Sequence, residues 1–202
     1  MQTTGIIMAG GKNSRMGKDK ACLQVGSETI LENTVKQLTK VVDNILVVSN
    51  RPQSLSGSGL HTVPDIFPGR GPLGGIHAGL VHSTTDVNLV VACDMPFLHE
   101  KMLKYLAGHG AQYDVVIPRL GNYLEPLTAC YHKSCLQVIE SHIREHRLKI
   151  TSFFPKVNVL YVESEKLAKL AGTGYSFFNV NTPKDLEQAR EIKKRLGLPD
   201  KG

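Results

Sequence analysis

The sequence has 202 residues and a mass of 22.1 kDa, which fits one globular domain spanning residues 1–202. Hydrophobic residues make up 41% of the chain and charged residues 21%, which excludes a disordered chain, a collagen-like repeat or a coiled coil. The longest unbroken apolar run covers residues 89–93 and is far shorter than the roughly 20 residues of a membrane-spanning helix.

The N-terminal sequence and the cysteines indicate a cytoplasmic protein. Residues 5–11 contain a short apolar stretch without a preceding Lys or Arg, which does not describe a signal peptide. The four cysteines form no C-x-x-C pair, so the sequence suggests neither a zinc site nor a thioredoxin-like redox site. We expect reduced thiols and a cytoplasmic location.

The net charge of +6 raises the hypothesis of nucleic-acid binding, but the distribution of the charge argues against it. Residues 10–20 contain four basic residues and one acidic residue within a glycine-rich stretch, which suits a small polyphosphate better than a long duplex. Trp is absent and aromatic residues make up 6% of the chain, which leaves few platforms on which bases can stack. We therefore expect neither a nucleic-acid partner nor a membrane.

The apolar pattern predicts strands that alternate with helices along the chain. The first half contains a strand at residues 5–9, a helix at 29–42, a strand at 44–49, a loop at 50–60, a brief strand at 61–63 and a helix at 71–81. The second half contains a strand at 88–93, a helix from 99 to 108 or 110, strands at 114–118 and 124–131, a helix at 133–145, strands at 157–162 and 177–180, and a helix to 196 opened by a capping box at 182–185.

This alternation predicts a three-layer α/β architecture with a mostly parallel, Rossmann-like sheet covered on both faces. In such sheets, ligands bind beyond the carboxyl ends of the strands. Several polar or glycine positions follow directly after predicted strands, so we expect one cleft to collect them. These positions are Gly10, Gly11, Asn50, Asp65 and Asp94.

A glycine-rich, basic loop follows the first predicted strand and runs from Met8 to Lys20. Its spacing matches neither the P-loop nor the dinucleotide-binding G-x-G-x-x-G motif. Its backbone amides and basic side chains can nevertheless surround anionic oxygens. The alternative is a tight turn, for which glycine is the usual residue, with Lys12 and Lys18 as solvated surface cations.

The loop resembles the nucleotide-binding signature of nucleotidyltransferases that attach NMP groups to small phosphorylated acceptors. With its paired glycines, Arg15-Met-Gly and Asp19-Lys20, it is most similar to the molybdenum cofactor guanylyltransferases. Cytidylyltransferases of the same superfamily usually carry Ala-Ala-Gly where this chain has Ala-Gly-Gly. Four further motifs occur in the expected order, so that the resemblance spans nearly the whole chain: Gly71-Pro-Leu-Gly-Gly75, Cys93-Asp-Met-Pro-Phe97, Glu125-Pro-Leu-Thr128 and Phe178-Asn-Val-Asn-Thr-Pro183.

The resemblance implies a Mg²⁺-dependent enzyme that transfers GMP from GTP to the terminal phosphate of molybdopterin. It further implies a GTP-binding adaptor and apo-molybdoenzymes as partners. Two alternatives remain open at this point. One is a CTP-dependent or sugar-phosphate nucleotidyltransferase of the same superfamily, and the other is a non-catalytic module that binds GTP or nucleic acid.

The resemblance also assigns nucleotide contacts to the start of the loop. These contacts are expected from Met8, Ala9, Gly10, Gly11 and Lys20. Arg15 offers a planar fork and Lys20 a point charge for phosphate oxygens, and both can neutralise the charge on departing pyrophosphate. We therefore count Arg15 and Lys20 as candidate catalytic residues, with surface cations as the alternative.

Two aspartates complete the nucleotide site. Asp94 follows a buried strand, and the resemblance assigns the metal and a catalytic role to it; Mg²⁺ prefers a few carboxylates together with phosphates and water. Its alternative role is an N-cap of the next helix. A carboxylate can accept from both N1–H and N2–H₂ of guanine, and Asp65 is the candidate for this contact, with a plain turn aspartate as the alternative.

Three asparagines are weaker candidates. Asn50 lies near the expected base pocket, but Asn is also common in ordinary turns. Asn179 and Asn181 flank Val180 and point to one side of an extended segment, where they can contact a pterin or its phosphate. The competing interpretation for both is helix entry at the final helix. A further string, His142-Ile-Arg-Glu-His146, matches the inverted zincin motif, but a solvated helix face explains it better.

Overall fold

The computed structural model describes residues 2–9, 22–51, 58–171 and 174–197. Its strands are β1 (Thr3–Met8), β2 (Gln24–Val25), β3 (Glu28–Thr29), β4 (Asn44–Val48), β5 (His61–Val63), β6 (Val87–Ala92), β7 (Val115–Leu120), β8 (Tyr123–Leu124), β9 (Thr128–His132) and β10 (Val159–Glu163). Its helices are α1 (Ile30–Leu38), α2 (Gly71–His82), α3 (Glu100–Gly108), α4 (Leu136–Arg144), α5 (Ser164–Ala171) and α6 (Pro183–Arg195). Two 3-10 segments cover Lys133–Cys135 and Ile150–Lys156.

Eight strands form the central sheet. Seven of them follow the order β10-β7-β9-β6-β1-β4-β5, and β8 pairs with β7. Strand β1 pairs in parallel with β4 and β6, β4 with β5, and β10 with β7. Strand β9 is antiparallel to both β6 and β7. The sheet is therefore mostly parallel, as predicted, with one antiparallel hairpin strand inserted into it.

The register aligns the carboxyl ends of the parallel strands at one edge of the sheet. Met8 at the end of β1 is paired with Val48 of β4 and with Ala92 of β6. Val48 is in turn paired with Val63 at the end of β5. Strand β9 runs the opposite way, so its first residue, Thr128, lies at the same edge, opposite Val91. We call this edge the carboxyl edge.

Helices cover both faces of the sheet, which confirms the predicted three-layer architecture. Apolar side chains from α1, α3 and α5 pack on one face, the α1 face, and side chains from α2, α4 and Ile150–Lys156 pack on the other, the α2 face. A smaller cluster joins α6 to the β2–β3 hairpin and to Phe97. None of the helices in the described part of the chain is both long and apolar enough to cross a membrane.

Helix α2 lies unusually close to β1 because it is rich in glycine. A Cβ atom placed on Gly79 would lie 2.6 Å from Cγ2 and 2.9 Å from Cδ1 of Ile6, whose side chain is fully buried. Distances below about 3 Å are shorter than van der Waals contact between carbon atoms allows. Gly79 therefore sets the spacing between α2 and the sheet.

The structure corrects several predicted elements. The predicted strand at residues 124–131 is split into β8 and β9, because Pro126 has no amide hydrogen to donate to a ladder. The predicted strand at 177–180 is wrong. The amide of Val180 donates one hydrogen bond, to Asp94, and the amide of Phe178 closes a turn on Tyr175, so this segment joins no ladder.

Helix boundaries differ less from prediction. The helix predicted at 29–42 begins at Ile30, where Thr29 and Glu32 form a capping box, and ends at Leu38. The capping box predicted at 182–185 is present, with Thr182 as N-cap and Asp185 as its partner. The prediction missed α5 and the β2–β3 hairpin, which are short elements without a long apolar period.

We predict that Gly79→Ala lowers the free energy of unfolding by about 1 kcal/mol or more. Overpacking a core costs about 1–3 kcal/mol, whereas replacing Gly by Ala inside a helix recovers at most about 1 kcal/mol. Gly108→Ala is the control, because a Cβ there meets nothing within 4 Å. Urea unfolding measures both variants, and a Gly79→Ala protein as stable as Gly108→Ala would contradict this account of the packing.

Candidate active site

The chain leaves β1 into the glycine-rich loop at the middle of the carboxyl edge. The amide of Ala9 donates to the carbonyl of Val48 at 2.9 Å, and the amide of Cys93 donates to the carbonyl of Met8 at 3.2 Å. These bonds hold the backbone just beyond β1 between the ends of β4 and β6. The remaining predicted loop residues lie outside the described residues: Gly10, Gly11, Lys12, Arg15, Gly17, Lys18 and Lys20.

Asp65 and Asn50 are joined at the ends of β5 and β4. The Nδ2 atom of Asn50 donates to Oδ2 of Asp65 at 2.8 Å, and the amide of Asp65 donates to Oδ1 of Asn50 at 2.9 Å. This two-point contact orients the carboxylate of Asp65 across the gap between two strand ends. Asn50 therefore positions Asp65, whose contact with a base stays a prediction.

The side chain of Met8 fills the space between this pair and helix α2. A Cβ atom on Gly75 would lie 2.2 Å from Cε of Met8 and 3.6 Å from Oδ1 of Asp65. Glycine at this position thus lets the end of β1, the first turns of α2 and Asp65 approach one another. The predicted site residues Met8, Ala9 and Asp65 consequently lie together on one half of the carboxyl edge.

Asp94 lies on the turn after β6, and three separate parts of the chain hold this turn. The carbonyl of Asp94 accepts from the amide of Val180 at 2.9 Å. Next along the turn, Sδ of Met95 accepts from Oγ1 of Thr128 at 2.9 Å. The carbonyl of Pro96 then accepts from Nδ2 of Asn33 at 2.6 Å. These bonds fix the backbone of the turn that carries the partly exposed Asp94 at the carboxyl edge.

The alternative role of Asp94 as a helix N-cap is wrong. Helix α3 begins at Glu100, and its N-cap is His99, whose Nδ1 atom accepts from the amide of Lys101 at 3.3 Å. Asp94 is five residues earlier in the chain, at the end of the sheet. Asp94 therefore does not cap α3.

Glu125 lies close to Asp94 and was missed as a site residue in the sequence. Burial raises the pKa of Glu125, and the nearby negative charge of Asp94 raises it further. The prediction placed Glu125 inside a continuous strand at 124–131, so its position at the carboxyl edge was not recognised. The signal that identifies it is Pro126, which ends the ladder and leaves Glu125 at the edge next to the end of β6.

Asn179 and Asn181 lie in the segment 174–182, which is bonded to the turn that carries Asp94. Val180, between them, is fully buried, and its amide bonds to the carbonyl of Asp94. The Nδ2 atom of Asn179 donates to the carbonyl of Phe177 at 3.3 Å. Thr182 is the N-cap of α6, and the amide of Asn181 donates to Oδ2 of its capping-box partner Asp185 at 2.9 Å. The competing interpretation of helix entry is therefore confirmed for Asn181.

Other candidate chemistries find no support in the described part of the chain. His142 is buried and its Nδ1 bonds to a backbone carbonyl one turn earlier, while Nδ1 of His146 bonds to Arg70, so the two histidines do not converge. Within the described residues, no group of three or more His, Cys, Asp or Glu side chains forms a metal cluster. Burial raises the pKa of Cys130 and Cys135 to about 12, so both thiols are protonated at neutral pH.

The site thus has two halves, one on each side of β1. Asp65 follows β5, and Asp94 follows β6, which lies three strands away in the sheet. Neighbouring strands are roughly 4.8 Å apart, so the two aspartates are separated by about 14 Å of sheet edge. An elongated ligand can therefore contact both aspartates while its centre lies over the end of β1.

Comparison with known proteins agrees with this geometry. The profile of a family described as MobA-like NTP transferase domain matches residues 5–156. The chain belongs to this family. A protein from Pelotomaculum thermopropionicum, named a probable molybdenum cofactor guanylyltransferase, is 43% identical over 190 residues, which cover 94% of this chain and 93% of the relative. A molybdenum cofactor guanylyltransferase from Desulfosudis oleivorans is 35% identical, with 95% and 96% of the two chains covered.

Solved structures of other proteins are also similar to this chain. The crystal structure of molybdopterin-guanine dinucleotide biosynthesis protein A from Archaeoglobus fulgidus aligns with a TM-score of 0.82 at 31% identity and covers 95% of this chain and 99% of the other. A CMP:2-keto-3-deoxy-manno-octonic acid synthetase complexed with CTP aligns with a TM-score of 0.75 at 12% identity, which shows a shared fold alone. The resemblance to molybdenum cofactor guanylyltransferases is confirmed, and the protein is a nucleotidyltransferase.

Proposed function

We propose that this nucleotidyltransferase acts in molybdenum cofactor biosynthesis and transfers GMP from GTP to the terminal phosphate of molybdopterin, with Mg²⁺ as cofactor. The observation that carries the proposal is the arrangement of Asp65 and Asp94 on opposite sides of β1 at one sheet edge. In this arrangement, Asp65 offers a carboxylate to a base, and Asp94 offers a carboxylate to a metal-bound phosphate. Names of relatives that cover nearly the whole chain support the same reaction.

The choice of guanine rests on Asp65. Guanine presents N1–H and N2–H₂ as adjacent donors, which a carboxylate can accept, whereas cytosine and adenine lack this pair. Nδ2 of Asn50 donates to Oδ2 of Asp65 at 2.8 Å, so the carboxylate is oriented before a base arrives. An acceptor group fixed before binding loses little conformational entropy when the base arrives.

The carboxylates at the other half suit a magnesium ion. Asp94 and Glu125 lie close enough for the charge of Asp94 to raise the pKa of Glu125. Two neighbouring carboxylates are stabilised by a divalent cation, and carboxylate oxygens with phosphates are the ligands that Mg²⁺ prefers. Asp94 would hold the ion, with Glu125 beside it. When bound, the ion supplies Lewis-acid polarisation of the α-phosphate and neutralises charge on the triphosphate.

The reaction needs positioning more than covalent help from the protein. An anionic oxygen of the acceptor phosphate forms a bond to the α-phosphorus of GTP. The bond from that phosphorus to the oxygen shared with the β-phosphate breaks, and pyrophosphate leaves. The acceptor oxygen carries no proton, so no general base is required. Asp65 and Asn50 hold the base, and Arg15, Lys20 and the amides of the glycine-rich loop neutralise the departing pyrophosphate.

The acceptor half of the site includes Asn179 and Asn181. The bond from Val180 to Asp94 supports this assignment, because it ties the segment that carries both asparagines to the turn that carries the metal ligand. Their amides can contact the pterin or its phosphate. We further propose a cytoplasmic enzyme that meets a GTP-binding adaptor and apo-molybdoenzymes as partners.

Asp65→Asn tests the assignment of the base. Because Nδ2 of Asn50 donates to Oδ2, the carbonyl oxygen of the new amide is held on that side and its NH₂ group faces the donors of guanine. We expect the preference for GTP over ATP in kcat/KM to fall by on the order of 1–3 kcal/mol. Asn50→Ala, which frees the carboxylate without removing it, should have a smaller effect in the same direction. Unchanged selectivity in Asp65→Asn would mean that other groups read the base.

Asp94→Ala tests the assignment of the metal. We expect pyrophosphate formation at saturating GTP and molybdopterin to fall by about 100-fold or more, because even indirect partners of a metal typically contribute 10–100-fold. The matched control is Asp86→Ala, since Asp86 is an exposed aspartate at the opposite end of the same strand. Asp86→Ala should keep wild-type turnover. Near-normal turnover in Asp94→Ala at the same Mg²⁺ concentration would exclude Asp94 as the metal ligand.

A further inference from the structure

One aromatic side chain near the site is far more exposed than the others. Tyr123 is 77% exposed, whereas Tyr161, the other tyrosine among the exposed large apolar residues of the described chain, is 37% exposed. Tyr123 lies in β8, directly after the turn at Gly121 and Asn122. The tip of a two-stranded hairpin thus carries a large ring into solvent, where it gains no core packing.

The hairpin places this ring at the carboxyl edge. Tyr123 pairs with Leu120 at the end of β7, and the amide of Glu125 donates to the carbonyl of Pro118 at 3.1 Å. The antiparallel ladder therefore extends from β8 to Glu125, and Tyr123 lies two residues further out. At about 3.4 Å per residue, this distance is roughly 7 Å along the strand.

The pleat of the hairpin turns Tyr123 and Glu125 toward the same face. Residues two positions apart in an extended strand point to the same side, and directly paired residues share a side. Leu120, the partner of Tyr123, packs on the α1 face, whereas Leu124 packs on the α2 face. Tyr123 therefore points to the α1 face, the face on which Cys93 and Met95 pack on either side of Asp94.

Tyr123 also lies on the side of Asp94 that is remote from the base. The strand order places β9 and β7 on one side of β6, and β1, β4 and β5 on the other. Asp65 follows β5, so a nucleotide whose base reaches Asp65 extends away from the hairpin. The part of the carboxyl edge beside Tyr123 and Glu125 is then left for the second substrate.

We propose that Tyr123 is a specificity-determining residue whose ring stacks on the planar pterin of the acceptor. The inference rests on the proposed function, because it identifies the acceptor as molybdopterin, and it adds a residue to which no role has so far been assigned. A tyrosine presents a large flat surface with few rotatable bonds, and stacking on an aromatic ring favours fused heterocycles over sugars. Tyr123 thereby selects acceptors by ring shape, while Asp94 would hold the metal at the triphosphate of GTP.

Steady-state kinetics of Tyr123→Ala, with molybdopterin and GTP varied in turn, test the proposal. Removing a base-stacking ring typically weakens binding by a factor of roughly 5 to 150. We expect KM for molybdopterin to rise about tenfold or more, with KM for GTP unchanged and kcat within about twofold, because stacking holds ground and transition states alike. Tyr123→Phe keeps the ring and should stay within about threefold of wild type.

Tyr161→Ala is the matched control. Tyr161 is a partly exposed tyrosine on the neighbouring part of the sheet, where its ring lies 5.1 Å from the guanidinium carbon of Arg119. It pairs with Ile117, whose side chain packs on the α2 face, so Tyr161 points away from the proposed acceptor space. The KM for molybdopterin should be the same in Tyr161→Ala and in the wild-type protein.

A direct binding measurement separates this inference from the proposed function. Isothermal titration calorimetry of the protein with molybdopterin, in the absence of GTP, measures the dissociation constant of the acceptor without turnover. We expect wild type and Tyr123→Phe to bind molybdopterin in this titration, and Tyr123→Ala to bind at least about tenfold more weakly. Equal dissociation constants and equal KM values in wild type and Tyr123→Ala, with turnover intact, would overturn the role of Tyr123 alone. A wild-type protein that neither binds nor consumes molybdopterin would contradict the proposed function itself.

Discussion

The parallel register of β1 with β4 and β6 is the constraint on which the site depends. Because Met8 is paired with both Val48 and Ala92, the chain leaves three neighbouring strands at the same level. The loops that follow must share one edge, and their polar residues meet there without a dedicated contact between them. Both faces of β1 and β6 are buried, so a shift of one residue in either pairing would exchange side chains between two differently packed faces and take the strand ends out of alignment.

Rigid supports on each half of the edge convert this register into a site. On the proposed base half, Asn50 fixes Asp65, and Gly75 lets Met8 fill the gap beneath it. On the proposed metal half, bonds from Val180, Thr128 and Asn33 hold the turn that carries Asp94. These contacts come from distant parts of the chain, so the position of each aspartate is determined by the whole fold rather than by its own loop. This preorganisation is what a reaction based on positioning requires.

Much of this arrangement was predictable from the sequence, for identifiable physical reasons. Asp94 directly follows the apolar run of a buried parallel strand, and Asp65 follows the brief strand that ends at Val63, so their common edge could be inferred. Glu125 was missed because the apolar pattern of 124–131 was followed across Pro126, the residue that ends the ladder. The hydrogen bonds that hold the Asp94 turn were also not predictable. One of them joins Asn33 to Pro96, which are more than 60 residues apart in the sequence. The predicted roles of Arg15 and Lys20 stay predictions, because both residues lie outside the described chain.

The most direct test of the central claim is pyrophosphate release by the purified protein with Mg²⁺ and GTP, CTP or ATP, each with and without molybdopterin. If one carboxylate binds the base and another binds the metal at the same sheet edge, transfer should occur only with the base that the first carboxylate accepts. The account predicts pyrophosphate in amounts equal to guanine dinucleotide when GTP and molybdopterin are both present, and little with CTP or ATP. Equal rates with CTP, or pyrophosphate release from GTP that does not depend on the acceptor, would contradict it.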